Sequence, residues 1–359
     1  MHTQQLSRVQ FVMLSIWLFL GTGFLTLPFA IGQFTVRDAW IVPFLFIPQG
    51  VIVAGVITWF RQTFPGQSLV EGCHTAFGPW WGRIPSLWFL IMTLVVECFV
   101  LREVGLFLTT TVLPSTPEYV VNAMFLIPVA YAVYQGVEAV GRLGETITPI
   151  GMGITLVISV LSMQYADPSH YHPVLADGWT PILRGSIVVW MYAWLLLFVL
   201  QLGEAVPQRL GKDLVIMVLI ITSVGLVAEP TICMVLGPSA AYSLYPILEV
   251  VRTIRIADFL ERLDTFYVMG VVVGIFLQCS FIHYALVTGI SQWTGLGHYR
   301  PAVWSGAVLA WAGSIFFIRN ESMFLEYVMY VGWGYLTFTG IAVPLLAVVV
   351  HRWRQRRKV

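Results

Sequence analysis

Apolar stretches of about twenty residues recur along the whole chain, from Phe11 to Val350, with only short gaps between them. In the hydrocarbon core of a bilayer no water reaches the backbone, so every crossing must satisfy its own amides, and runs of this length do so as helices. Charged residues make up only 10% of the 359, against roughly a quarter in a soluble domain. Too little charge is left to clothe a soluble surface, and the mean hydropathy of +0.82 agrees. The pattern predicts an all-α integral membrane protein, one transmembrane domain over residues 1–359, with ten spans at 9–31, 40–60, 85–113, 119–134, 148–163, 185–202, 213–236, 266–290, 302–317 and 324–350. These are numbered segments one to ten; the fourth, fifth and ninth are short.

The densest basic run is the tail Arg352, Arg354, Arg356, Arg357 and Lys358, which belongs on the cytoplasmic side. Ten crossings then place the N-terminus inside as well. Arg8, Arg61, Arg83, Arg142, Arg209, Lys212, Arg300 and the five tail residues fall inside, against Arg37, Arg184, Arg252, Arg255, Arg262 and Arg319 outside, twelve against six. The two longest outside connections, 164–184 and 237–265, fall in corresponding places if the chain is two five-helix repeats, 1–163 and 164–359, the second inverted. Within the second connection Ile256, Phe259, Leu260 and Leu263 keep helical spacing, with Asp258, Glu261, Arg262 and Asp264 opposite, which predicts a short surface helix.

Other classes of function find little support. A net charge of +1 leaves no nucleic-acid footprint. Cys73, Cys98, Cys233 and Cys279 are scattered, two of them inside apolar runs, and read as reduced packing residues. Asp167, His170 and His172 could ligate a metal but lack a fixed ligand spacing, and the sequence carries no zinc-protease, nucleophile-elbow or phosphate-loop motif. Neither a cofactor nor enzymatic chemistry is expected. The first stretch lacks a small-x-small cleavage site and is expected to stay as a membrane helix rather than leave as a signal peptide.

Candidate site residues are those that are expensive or unusual at mid-membrane. Gly21, Thr22 and Gly23 lie at the midpoint of segment one. Two glycines there would weaken the helix by about 1 kcal/mol each, and a break would offer half-helix ends to a ligand; the competing reading is a small-residue packing surface. Segment six is aromatic at its centre, with Trp190, Tyr192 and Trp194, but has no glycine or proline there to unwind it, so it reads either as a pocket wall or as an unbroken packed helix. Segment three carries Glu97, Arg102 and Glu103. Glu97 falls near mid-bilayer, at a cost of at least about 2.5 kcal/mol, and reads equally as a ligand or proton group and as half of an interhelical pair. Arg102, five residues on, points elsewhere and reads as an anchor. On segment eight Gln278 is the better pocket candidate, and His283 reads as a hydrogen-bonded packing group.

Three stretches carry a family resemblance: Gly21-Thr22-Gly23-Phe24-Leu25-Thr26-Leu27-Pro28, Leu101-Arg102-Glu103, and most specifically YPILEVVRTIRIADFLERLDT at 245–265; His172-Pro173-Val174-Leu175 adds to them. On these the chain resembles the B-subunit family of spore germinant receptors, within the amino acid-polyamine-organocation transporter superfamily. The resemblance implies an amino acid permease-like fold of ten helices in two inverted repeats. It implies a subunit that binds a nutrient germinant, typically an L-amino acid or other small metabolite, in a complex with A and C subunits in the spore inner membrane. Carried over by position, the pocket would be formed by the backbone at Gly21 to Gly23 and by Val96, Trp194 and Gln278, with Glu97 and Tyr192 beside it. The chain departs from the family at Leu195 and Leu197, where relatives often have a glycine and an acidic residue, and Trp194 would shrink the pocket. A proton-coupled amino acid transporter is the alternative, and a scaffold with a degenerate pocket the third.

Overall fold

The computed structural model describes residues 5–207, 209–254, 263–318 and 320–357. Among these all regular structure is helical: the ten segments the apolar runs predict, and between them the short helices Leu69–Phe77 and Pro246–Thr253 and a few 3-10 turns. Segment one comprises Arg8–Ser15 and Trp17–Gly32; segment two the turn Ala39–Ile41 and Val42–Thr63; segment three Arg83–Thr111; segment four Glu118–Gln135; segment five Val137–Ser162. Segment six runs as Trp179–Ala193 and Trp194–Ala205, seven as Leu210–Leu236, eight as Leu263–Thr294, nine as Arg300–Phe316, and ten as Glu321–Glu326, Tyr327–Val331 and Gly332–Arg356. Eight of the ten are long and apolar enough to cross a membrane. Segments four and nine, of 18 and 17 residues, pack against each other and against segments three and eight.

Position in the bundle follows from burial. In segments one and six 89% of the most apolar window is buried, against 22% in segment five, so one and six form the centre and five faces outward. Segment one is tied at its start by a capping box on Ser7, in which Ser7 and Gln10 satisfy each other's backbone amides, and by an ion pair from Arg8 to the buried Asp213 of segment seven. The basic tail reaches the same end of the bundle: the Arg354 guanidinium donates to the Phe77 carbonyl at 3.2 Å and His351 lies against Phe64, 4.8 Å between ring centres.

Segment five begins eleven residues earlier than the hydropathy predicts, at Val137 rather than 148. Its first three turns hold Glu138 and Arg142, paired at 2.7 Å on the exposed face, and Gly141 and Gly144 on the buried one. A Cβ on Gly141 would sit 2.5 Å from Leu6, and one on Gly144 3.1 Å from the backbone of Leu14, so this polar, glycine-bearing stretch is helix packed tightly on segment one.

Of the 245–265 signature, the first part forms the helix Pro246–Thr253, which buries Ile247, Leu248, Val250 and Val251 against segments one, seven and eight, and residues 263–265 begin segment eight. The predicted surface helix falls mostly on residues 255–262, which lie outside the described residues. All four cysteines are buried and unbridged.

Candidate functional site

At the centre of the bundle a cavity with about 40 Å³ of free volume is enclosed by five segments. Thr22 comes from segment one, Val96 and Glu103 from three, Met191, Tyr192 and Leu195 from six, Gln278 from eight, and Phe324, Tyr327 and Val328 from ten. A single water occupies roughly 10–15 Å³ on this measure, so the site as it stands is closed around a few waters at most. Another cavity of about 50 Å³ lies between segments one, five, seven and eight and the helix Pro246–Thr253, with Trp17, Ile154, Ile232 and Val271 among its apolar walls and the side chains of Thr155, Ser159, Thr231 and Tyr267 also lining it.

Segments six and ten depart from α geometry around the central cavity, and segment one is met by a side chain from segment eight. In segment one the expected break is not found. Gly21, Thr22 and Gly23 lie inside the helix Trp17–Gly32, and even the junction at Ile16 keeps helical dihedrals, with the Leu20 amide donating to the Ile16 carbonyl at 2.9 Å. Instead the Gln278 carboxamide enters the helix. Its Oε1 accepts from the Thr22 amide at 2.8 Å and its Nε2 donates to the Leu18 carbonyl at 3.0 Å, the two groups that form one turn's bond in a regular helix. The Thr22 hydroxyl accepts from the same Nε2 at 3.2 Å. Gly21 makes this possible: a Cβ there would lie 2.3 Å from Gln278 Oε1, so the glycine serves close approach rather than unwinding. Gly23 has a different setting, its missing Cβ facing Leu27 and Phe19 of its own helix.

Segment six changes from α to 3-10 helix at Trp194 and keeps the tighter winding until Gly203, whose φ of 54° and ψ of −122° end it. Runs of 3-10 helix beyond three or four residues are uncommon, and mid-helix ones mark strain or hinges. The segment is therefore wound tighter than an unbroken α-helix, and of its central aromatics Tyr192 walls the cavity. Segment ten widens to a π turn over Tyr327–Val331, directly at the cavity, where Tyr327 stacks on Phe99 with ring centres 3.9 Å apart.

Of the residues singled out from sequence, Thr22, Val96, Tyr192 and Gln278 line this cavity together, and Gly21 backs Gln278. Two lie elsewhere. Trp194 is fully buried against Gly340, where an added Cβ would come within 2.1 Å of its ring, and in edge contact with Trp190, so it fills the space beside the cavity instead of facing it. Glu97 points away, toward segments eight and nine: its Oε1 is 2.7 Å from His283 Nδ1, and His283 Nε2 is 3.1 Å from the Val303 carbonyl. Both side chains are fully buried, which is the interhelical pair, the alternative to a ligand role. Arg102 pairs with Glu118 of segment four at 2.7 Å, as an anchor would.

Glu103, named above with Glu97 and Arg102 but given no role, belongs to the site. It is buried, accepts a hydrogen bond from the Thr26 hydroxyl, and lines the cavity beside Tyr192. Seven positions separate it from Val96, two helical turns, so both share one face of segment three. That spacing was the available signal.

A family model described as "Spore germination protein" matches residues 5–322. The chain belongs to that family. Among curated members, spore germination protein KB of Bacillus subtilis (strain 168) is 27% identical over 293 residues, covering 79% of this chain and 77% of the relative. Spore germination protein YndE of the same organism is 25% identical and covers 99% of this chain and 98% of its own length. Spore germination protein XB of Bacillus anthracis is 25% identical over about half of each chain, 55% and 56%. Among solved structures, MhsT in complex with L-phenylalanine superposes with a TM-score of 0.70 at 14% identity, over 97% of this chain and 96% of that one. This spore germination family member therefore has the transporter fold its apolar segments and motifs predict, and is a multi-pass membrane protein.

Proposed function

We propose that this chain is the nutrient-sensing subunit of a germinant receptor, binding a small metabolite of the L-amino acid class in the central cavity and passing the signal to A and C subunits in the spore inner membrane. Its work is binding and conformational change rather than covalent chemistry. The observation that carries this reading is the cavity itself: five segments meet there, two of them depart from α geometry there, a third is hydrogen-bonded by a side chain from segment eight, and it is lined by both apolar and hydrogen-bonding side chains. Pockets between bundle helices with a few convergent polar groups are the usual form of a small-molecule site. The family match supports germination as the context, and the similarity to MhsT, whose structure holds L-phenylalanine, supports the ligand class. A ligand must enlarge a space of about 40 Å³, so it favours an opened arrangement over the closed one. Such a differential affinity is what a sensor requires, since equal affinity for both states shifts nothing.

The test is thermal stabilisation of the purified chain by common L-amino acids and nucleosides, with Gly21→Leu as the control that crowds Gln278. A ligand at a hundredfold its Kd should add about 2.7 kcal/mol to the wild type and nothing to the variant.

A proton-coupled amino acid transporter is the second reading, favoured by the fold shared with MhsT and by the buried Glu97–His283 pair. Ligand-driven flux in proteoliposomes separates the two, because alternating access and sensing use the same pocket.

A further inference from the structure

We propose that Glu103 recognises the ammonium group of the ligand and gives up the Thr26 hydroxyl in doing so, which restricts ligands to small molecules bearing a primary amine; this rests on the central cavity being the germinant site. Glu103 and Phe324 are shared between that cavity and a second one of about 30 Å³, which lies farther along segment one toward Phe29. The carboxylate thus stands at the partition between a space near the end of the bundle away from the basic tail and the space at its centre. Glu321 and Tyr245 line the outer of the two.

Charge balance argues for a cation at this partition. Neither cavity is lined by Arg, Lys or His among the described residues. Arg102, adjacent in sequence, is turned away to Glu118 at 2.7 Å. Glu103 and Glu321 are therefore acidic groups at the two cavities with no basic side chain among the described lining residues to balance them. Intramembrane carboxylates are expensive and almost always face a partner group or a water-filled cavity; Glu103 has a neutral hydroxyl, with the Thr22 and Tyr192 side chains nearby. An ammonium forms shorter and stronger hydrogen bonds to a carboxylate than a hydroxyl does. An incoming amine can displace Thr26, and the displaced bond is one that ties segment one to segment three. Recognition and the loosening of a tie between two central helices become one event.

The experiment uses the purified full-length chain and nine probes: L-alanine, L-valine and L-leucine, their deaminated acids propionate, isovalerate and 4-methylpentanoate, and their decarboxylated amines ethylamine, isobutylamine and isoamylamine. Affinity is read from thermal stabilisation across a concentration series. Within at least one side-chain series, the amino acid and the amine should bind and the acid should not. Glu103→Gln should weaken the amine-bearing probes by about tenfold or more. Thr26→Val, which removes the competing hydroxyl and keeps the carboxylate, should strengthen them, and it serves as the test if Glu103→Gln fails to fold. Equal binding of acid and amino acid, unchanged amine affinity in Glu103→Gln, or unchanged or weaker affinity in Thr26→Val would overturn the proposal. Val96→Trp, which fills the cavity, separates this from the underlying reading. If it abolishes binding while Glu103→Gln changes nothing, only the role of Glu103 fails. If it leaves binding intact, or if none of the nine probes binds, the cavity reading fails and the proposal with it.

Discussion

Segment three carries two buried carboxylates six residues apart, and they have opposite surroundings. Glu97 is enclosed: fully buried, 2.7 Å from His283, with Cys98, next to it, packed on segment nine. Glu103 is open: it faces two cavities, and its hydrogen-bond partner is the hydroxyl of Thr26. At about 100° per residue, six positions turn a side chain about 240° around the axis, so the two look at different neighbours. The comparison teaches that depth in the membrane marks a carboxylate as expensive but does not give its role. The role is set by whether its partner is already built into the fold.

The largest effect expected from this contrast is on stability. Glu97→Leu leaves His283 buried without its partner and should cost about 3–5 kcal/mol, whereas Glu103→Gln keeps an acceptor for Thr26 and should cost about 1 kcal/mol or less. Chemical or thermal unfolding of the two variants in one detergent measures both; equal losses would break the comparison. Next comes the double variant Glu97→Leu with His283→Leu, which removes both polar groups and should recover at least about 1 kcal/mol relative to the sum of the singles. Additive losses would mean the two side chains do not act as a pair. Of similar size is Gly21→Ala, whose Cβ meets Gln278 Oε1 at 2.3 Å. It should cost about 1–3 kcal/mol as Gln278 is pushed out of segment one, and Gln278→Ala in the same background should relieve part of it. A neutral Gly21→Ala would show that Gln278 is not held where the structure has it.

The same contrast shows how far the sequence could be read. Hydropathy alone located ten segments because each apolar run must be a helix in lipid; it missed polar turns inside a helix, as at Glu138, Arg142 and Glu145 of segment five, and the short helix Leu69–Phe77, which is too short to cross. Thr22, Val96, Tyr192 and Gln278 were found as one group because a glycine-flanked threonine, family-matched positions and a mid-membrane amide are visible in one dimension. Glu97 drew attention by its depth, and its partner on segment eight cannot be read from segment three. Glu103 was named beside Arg102 without a role, although its two-turn spacing from Val96 puts it on the cavity face. The 3-10 winding from Trp194 and the π turn at Tyr327–Val331 have no sequence signal of their own, because packing of whole helices imposes them.

The central claim is that a small metabolite binds in the cavity enclosed by Thr22, Val96, Tyr192 and Gln278. The most direct measurement is equilibrium binding of a radiolabelled L-amino acid, chosen as the strongest stabiliser in the thermal screen, to the purified wild type and to Val96→Trp. Saturable binding at one site per chain in the wild type, lost in a Val96→Trp variant that unfolds at the same temperature as the unliganded wild type, is the predicted result. Undiminished binding in that folded variant would contradict the account and move the site elsewhere in the bundle.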